Sequence, residues 1–326
     1  MTAAIRAAIL LTQGLSGMWI NMKDKHETRE ARISQLLEMA YDTNSKARVI
    51  AIAEQVLELD HDNPEALLLK AEHTKSNDRK TALLKRALES LNKPENINYN
   101  DRDYLLYQIN EGLALMSFMA DDYREAFKYC VEASRILNEH EDFRYSLDVI
   151  DDDNGYFMTV YYRVMIELKE WQKILAESMR DEYHSTSWAY SRLIAAYMLA
   201  PEHGRVYANM FWDFLRISPE APFYLLGYYD EPDDNDDENS LDDFNFALMF
   251  YDTLTISDDF KNWFNRGTIL FGLLTNRFDS REHDYMIDAL DVLGGYEEYE
   301  KISGMIVEGD DEAVIELLSS NQCLTD

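Results

Sequence analysis

Residues 101–138 read DRDYLLYQINEGLALMSFMADDYREAFKYCVEASRILN. Leu105, Ile109, Leu113 and Met116 recur at helical spacing, and Asp121-Asp122 then breaks and restarts the pattern. Tyr123, Ala126, Phe127, Cys130 and Val131 follow at i, i+3, i+4, i+7 and i+8, the face expected of a packed helix. Two amphipathic helices joined by so short a turn predict an antiparallel helical hairpin.

The same pattern returns on both sides of this stretch. Ile33, Leu36, Leu37, Met39 and Ala40 predict a helix over Arg29 to Thr43, and Val49, Ile50, Ala53, Val56 and Leu57 predict one over Lys46 to Leu59. Asn63 suits an N-cap and Pro64 a first helical residue, because the amide that proline lacks would have had no partner there. Helices over 64–74 and 78–91 follow, then a polar connection over 92–100. Residues 141–155 are acidic and less regular. Pairs resume with 156–168 and 170–179, and with 188–199 and 206–217. About five pairs, most with a period in the thirties of residues, signal stacked helix-turn-helix units.

Composition agrees with an all-α chain. In 326 residues there are only 12 Gly and 6 Pro, too few for the many turns of an all-β protein. A hydrophobic share of 46% is ample for a core. The 31 basic and 62 acidic residues give a formal charge of −31, which repels phosphate backbones and argues against a nucleic-acid partner. Solubility is one account of this charge, and attraction of a basic partner is the other. Cys130 and Cys323 are the two cysteines, so a disulfide framework is excluded and a reducing, cytoplasmic setting is expected. The apolar run Ala7 to Leu11 is too short to span a membrane. Residues 1–28 are expected to be a flexible tail, or the product of a start placed upstream of Met18 or Met22.

At 101–138 the pattern resembles a tetratricopeptide repeat, a 34-residue helical hairpin with small residues at fixed positions. Leu113-Ala114 fills the first signature, Asp121-Asp122-Tyr123 the turn, and Ala126 and Ala133 the later small positions. Val49, Ala53 and Val56 match in the first unit, Lys169-Glu170-Trp171 stands at the turn of the fourth, and Trp188 holds the aromatic slot of the fifth. This resemblance covers residues 29–218 and implies a helical-hairpin solenoid that binds a peptide or protein in a concave groove. By the same resemblance the groove positions are Gln108, Glu111, Leu115, Phe118 and Met119 on the third repeat and Tyr156, Arg163 and Ile166 on the fourth. Packing of Leu115, Phe118 and Met119 against a neighbouring helix is the competing account. Asn is absent from the ninth positions (Glu38, Glu72, Leu115, Arg163, Leu193), which argues against the subfamily that clamps chaperone C-termini.

A second stretch, Phe214 to Gly227 (FLRISPEAPFYLLG), is similar to bacterial repeat proteins related to the suppression-of-tumorigenicity-7 family. Ser218 stands where their usual Asn would be, and an acidic patch, the run Phe244 to Thr253 and Trp263 follow in order over residues 214–263. Such relatives imply an interaction role. Residues 219–243 are expected to be a connecting segment, and residues 244–326 a C-terminal helical module that caps the array.

The segment YDEPDDNDDENSLDD (229–243) is expected to be a solvated acidic loop, and a docking strip for a basic partner, formed by Asp233, Asp234, Asp236, Asp237 and Glu238, is the alternative. Asp233, Asn235 and Asp237 have the opening spacing of a calcium loop. Glu238 occupies the sixth position, which needs Gly, and Phe244 the twelfth, which needs Glu, so no metal is expected. No phosphate-binding glycine loop, zinc-helix motif or nucleophile elbow occurs, and the seven His are scattered. No catalytic residue and no cofactor are therefore expected. The leading expectation is a non-catalytic scaffold. The alternative is an acidic inhibitor or immunity-type protein that masks a basic toxin or nucleic-acid enzyme.

Overall fold

The computed structural model describes residues 28–140, 153–180, 184–232, 238–305 and 310–325. All regular structure among them is helical: 16 α-helices and two short 3₁₀ segments. The N-terminal tail and Asp233, Asp234, Asp236 and Asp237 lie outside the described residues, as do the side chains of Tyr156 and Glu238. Contacts divide the chain into two units, one of residues 28–116 and 131–140, the other of residues 117–130 and those from 153 onward.

The first unit follows its sequence closely. Helix α1 (Arg29–Tyr41) starts at Thr28, whose hydroxyl accepts from the Ala31 amide at 3.2 Å. Leu36, Leu37 and Ala40 pack on Val49, Ile52, Ala53 and Val56 of α2 (Lys46–Leu59), with Ala66 and Leu69 of α3 (Pro64–Glu72) in the same cluster. Asn63 caps α3: its Oδ1 accepts from the Ala66 amide at 3.0 Å and its Nδ2 donates to the Tyr99 hydroxyl at 3.1 Å. Asp62, in the turn before it, binds Arg86 of α4 (Asn77–Leu91) at 3.0 Å and Lys93 at 2.8 Å. Each helix from α1 to α4 packs on the next. Helix α5 (Arg102–Phe118) and helix α6 (Tyr123–Glu139) follow with a four-residue turn between them, as the sequence predicts. His140 after α6 reaches Asp103 near the start of α5 at 3.0 Å, and Phe118 meets Tyr123 across the turn at 5.9 Å between ring centroids.

The second unit contains α7 (Asp153–Glu167), α8 (Trp171–Ser178), α9 (Thr186–Leu199), α10 (Gly204–Ile217), α11 (Ala221–Leu226) and α12 (Glu238–Phe250). A 3₁₀ segment (Tyr251–Ile256), α13 (Asp258–Leu274), α14 (Glu282–Val292), α15 (Tyr296–Ser303) and α16 (Asp311–Ser320) complete it. A boundary at residue 218, expected from the sequence, is not where its packing divides. Tyr190 of α9 is fully buried against Phe214 on one side of that boundary and Phe246, Phe250, Phe260 and Phe264 on the other, at 5.5–6.3 Å. One aromatic core thus joins helices from before and after Pro219. Helix α13 is its spine, packing on α11, α14, α15 and α16. A Cβ on Gly267 of α13 would lie 2.7 Å from both Leu324 and Phe211, so glycine lets the last described residues seat against the helix. Trp263 Nε1 donates to the Leu324 carbonyl at 3.1 Å, and Glu298 accepts from the Leu324 amide at 2.9 Å.

Six helix ends share one turn. An amide five residues on bonds back to a helix carbonyl in each: Asp122 to Ser117, Glu170 to Met165, Tyr228 to Phe223, Arg277 to Gly272, Gly295 to Leu290 and Cys323 to Leu318. The residue before each of these amides is left-handed: Asp121, Lys169, Gly227, Asn276, Gly294 and Gln322. This is the Schellman arrangement, usually built on glycine. Four of the six positions use another residue, so the low glycine count reflects tolerated left-handed side chains.

Candidate interaction surface

Helix α5 places Gln108, Glu111, Leu115 and Phe118 in one narrow sector, and all four are half-buried. The opposite faces carry Leu105, Leu106, Ile109, Leu113, Ala114 and Met116, all buried. Gln108 Nε2 donates to the Tyr104 hydroxyl at 3.2 Å and the Tyr107 hydroxyl donates to Glu111 at 3.4 Å, so the polar part of the stripe is held in place. Met119, just beyond the helix, is 57% exposed. Gln108, Glu111 and Leu115 belong to the first unit and Phe118 and Met119 to the second, and each keeps part of its surface open.

Of the fourth-repeat positions, Arg163 and Ile166 are closed off. Ile166 is fully buried and Arg163 exposes 2% of its surface. Arg163 Nε donates to the Met249 carbonyl at 2.8 Å, Nη2 pairs with Asp252 at 2.7 Å, and Nη1 pairs with Glu167. Met249 lies in the last turn of α12, where carbonyls have no intrahelical partner and a cation is favoured. Arg163 is therefore a rivet between α7 and the end of α12, which corrects its expected groove role. Beside it the Tyr190 hydroxyl meets Thr253 Oγ1 at 2.7 Å, and Thr253 in turn donates to the Phe250 carbonyl at 2.6 Å. Burial pushes the Tyr190 phenol up, which suits a structural donor.

Two further polar groups escaped the sequence reading. Asp243 of α12 is buried and accepts from the Ser218 hydroxyl and the Ala221 amide, tying α12 to the start of α11. Desolvation, with smaller contributions from Glu220 and Asp242, raises its carboxyl from 3.8 to about 6. Arg277 forms a two-pronged pair with Asp311, both contacts at 2.8 Å, and lies over the rings of Phe271 and Phe223. Neither pair has a local signature, because 25 and 34 positions separate the partners.

Cys323 is buried, and desolvation pushes its thiol up to about 12, away from nucleophilic use. Among the described residues, no group of three His, Cys, Asp or Glu side chains could hold a metal ion, and no helix is long and apolar enough to cross a membrane. No protein-family model matches the chain, nor does any curated protein or solved structure.

Proposed function

We propose that the protein is a non-catalytic interaction scaffold of tetratricopeptide-like character, which takes a peptide or protein segment along the outer stripe of α5. The observation that carries this reading is the α5 stripe itself, where Gln108, Glu111, Leu115 and Phe118 stay half-accessible while Leu105, Leu106, Ile109, Leu113, Ala114 and Met116 are buried. Neighbour-on-neighbour packing of α1 to α4 supports the repeat character. So does the spacing of Ala53 and Ala87, both fully buried and one 34-residue period apart. Small residues at such positions let successive helices approach closely. The proposed contact set is Gln108, Glu111, Leu115, Phe118 and Met119.

The test is affinity capture with the full chain at low and high salt, followed by measurement of the captured partner against a Leu115→Ser/Met119→Ser double variant. Binding should weaken about tenfold or more while the unfolding midpoint stays within the error of wild type. A lowered midpoint with unchanged affinity would mean that the stripe packs within the fold and binds nothing.

A further inference from the structure

Helix α12 carries a second outward stripe, unrelated to α5. Its inner face, Asp243, Phe246, Ala247 and Phe250, is buried in the aromatic core. On the outer face Leu241, Phe244, Leu248 and Tyr251 recur at i, i+3, i+7 and i+10, one side of the helix and its 3₁₀ continuation. Leu241 is 50% exposed, Leu248 56% and Tyr251 62%. Phe244 meets Tyr224 edge-on at 5.8 Å, and Tyr224 meets Tyr229 at 5.3 Å, so the stripe continues sideways as an aromatic shelf. Singly exposed apolar residues are ordinary on protein surfaces, but an aligned row that the core does not use marks a contact site.

The segment that builds this row is acidic, and the cations that reach its edges, Arg163 at Asp252 and Arg277 beside Tyr229, are largely buried and held in ion pairs with Asp252 and Asp311. Asp230, Glu231 and Asp242 are exposed, and Asp252 is half-exposed at the far end. No Lys or Arg occurs between Arg216 and Lys261, so the chain that builds the row supplies no positive charge of its own. An apolar row at helical spacing with an acidic margin is complementary to one kind of ligand. We propose that Leu241, Phe244, Leu248 and Tyr251, with Tyr224 and Tyr229 beside them, form a docking face for an amphipathic helix of another protein, with basic residues flanking that helix's apolar side. This face is independent of the α5 reading and would stand if that reading failed.

The probe is a labelled synthetic helix with leucine on one face and lysine elsewhere, titrated with the full chain by fluorescence anisotropy. Binding should fall steeply with added salt, and a peptide with glutamate in place of lysine should not bind. Leu248→Ser and Tyr251→Ser should each weaken binding about five- to tenfold, as expected for truncating apolar anchors. Val292→Ser, at a residue 87% exposed elsewhere, and Leu115→Ser on α5 should leave it unchanged. The exposed positions of Leu248, Tyr251 and Val292 allow those variants to fold, and an unchanged unfolding midpoint confirms it for them and for Leu115→Ser. Equal binding by Leu248→Ser, or equal binding of the glutamate peptide, overturns the proposal. A wild-type dimer that Leu248→Ser dissociates would make a second copy the occupant. Failure of a soluble tyrosine-modifying reagent to label Tyr251 in the free monomer would mean that the chain covers the row itself. Either result also overturns it.

Discussion

Replacing Arg163 separates a core role from a binding role. Its guanidinium is 3% exposed and makes three polar contacts, to Met249, Asp252 and Glu167. Arg163→Met keeps most of the stem volume and removes all three. Asp252 is 48% exposed and Glu167 27%, so both carboxylates rehydrate readily and their share of the loss is small. The Met249 carbonyl is a different case, because it loses a charged donor at a helix end, for about 1–3 kcal/mol. With the lost ion pairs, the expected destabilisation is about 2–4 kcal/mol, and Arg163→Ala adds about 1 kcal/mol or more for the cavity. Four of the five tryptophans, Trp171, Trp188, Trp212 and Trp263, lie in the second unit and Trp19 does not, so urea unfolding followed by tryptophan fluorescence reports mainly on the unit where the change is made. Partner capture should survive under conditions where the variant remains folded. An unshifted fluorescence midpoint together with lost capture would refute the rivet and return Arg163 to a groove.

Two other outcomes follow from the turns and the buried carboxyl. Asp243 has a folded pKa of about 6 against 3.8, so its contribution is fully favourable below 3.8 and is lost as pH rises through about 6. The ceiling is about 3 kcal/mol, at ~1.36 kcal/mol per pKa unit. Asp243→Asn should therefore gain stability over wild type as pH rises from 4 to 7, by about 1–2 kcal/mol, with the difference closing near pH 4; a pH-independent difference in urea-unfolding free energy would count against this account. Lys169 is exposed and left-handed at φ 57°, a strain of about 1–2 kcal/mol. Lys169→Gly should stabilise by about 0.5–1 kcal/mol after glycine's unfolded-state entropy is subtracted, whereas Lys169→Ala should not. Equal melting of the two variants would show that charge matters there and backbone conformation does not.

Local signals in the sequence carried most of the helices. Asn63 with Pro64 predicts a helix start that the structure places where expected, because a cap is a contact over three residues. Periodicity likewise located α2 over Lys46–Leu59 to the residue. The grouping of helices into units was not accessible in this way. Tyr190 reads as one more aromatic on a repeat helix, and only its contacts with Phe246, Phe250, Phe260 and Phe264 reveal a shared core. Arg163 is the same case in polar form. Glu167 is four residues on, but Met249 and Asp252 lie 86 and 89 positions away. Counting register along one helix cannot tell a groove arginine from a buried one when its partners are so distant.

That limit bears directly on the two candidate faces. On α5 and on α12 the outer residues sit at the same offsets, i, i+3, i+7 and i+10, so periodicity alone assigns both rows equally to core or surface. What separates them is charge. The α5 row contains a neutral amide at Gln108 and a hydrogen-bonded carboxylate at Glu111, and suits a ligand read by shape and polar contacts. The α12 row has no basic residue within its own stretch of chain and acids along its edge, so a ligand there is drawn by long-range attraction as well as by apolar contact. Salt therefore discriminates between them: added salt should weaken association at α12 chiefly through the on-rate, while the on-rate at α5 should change little. The acidic excess, if it served solubility alone, would give no difference between the two rows.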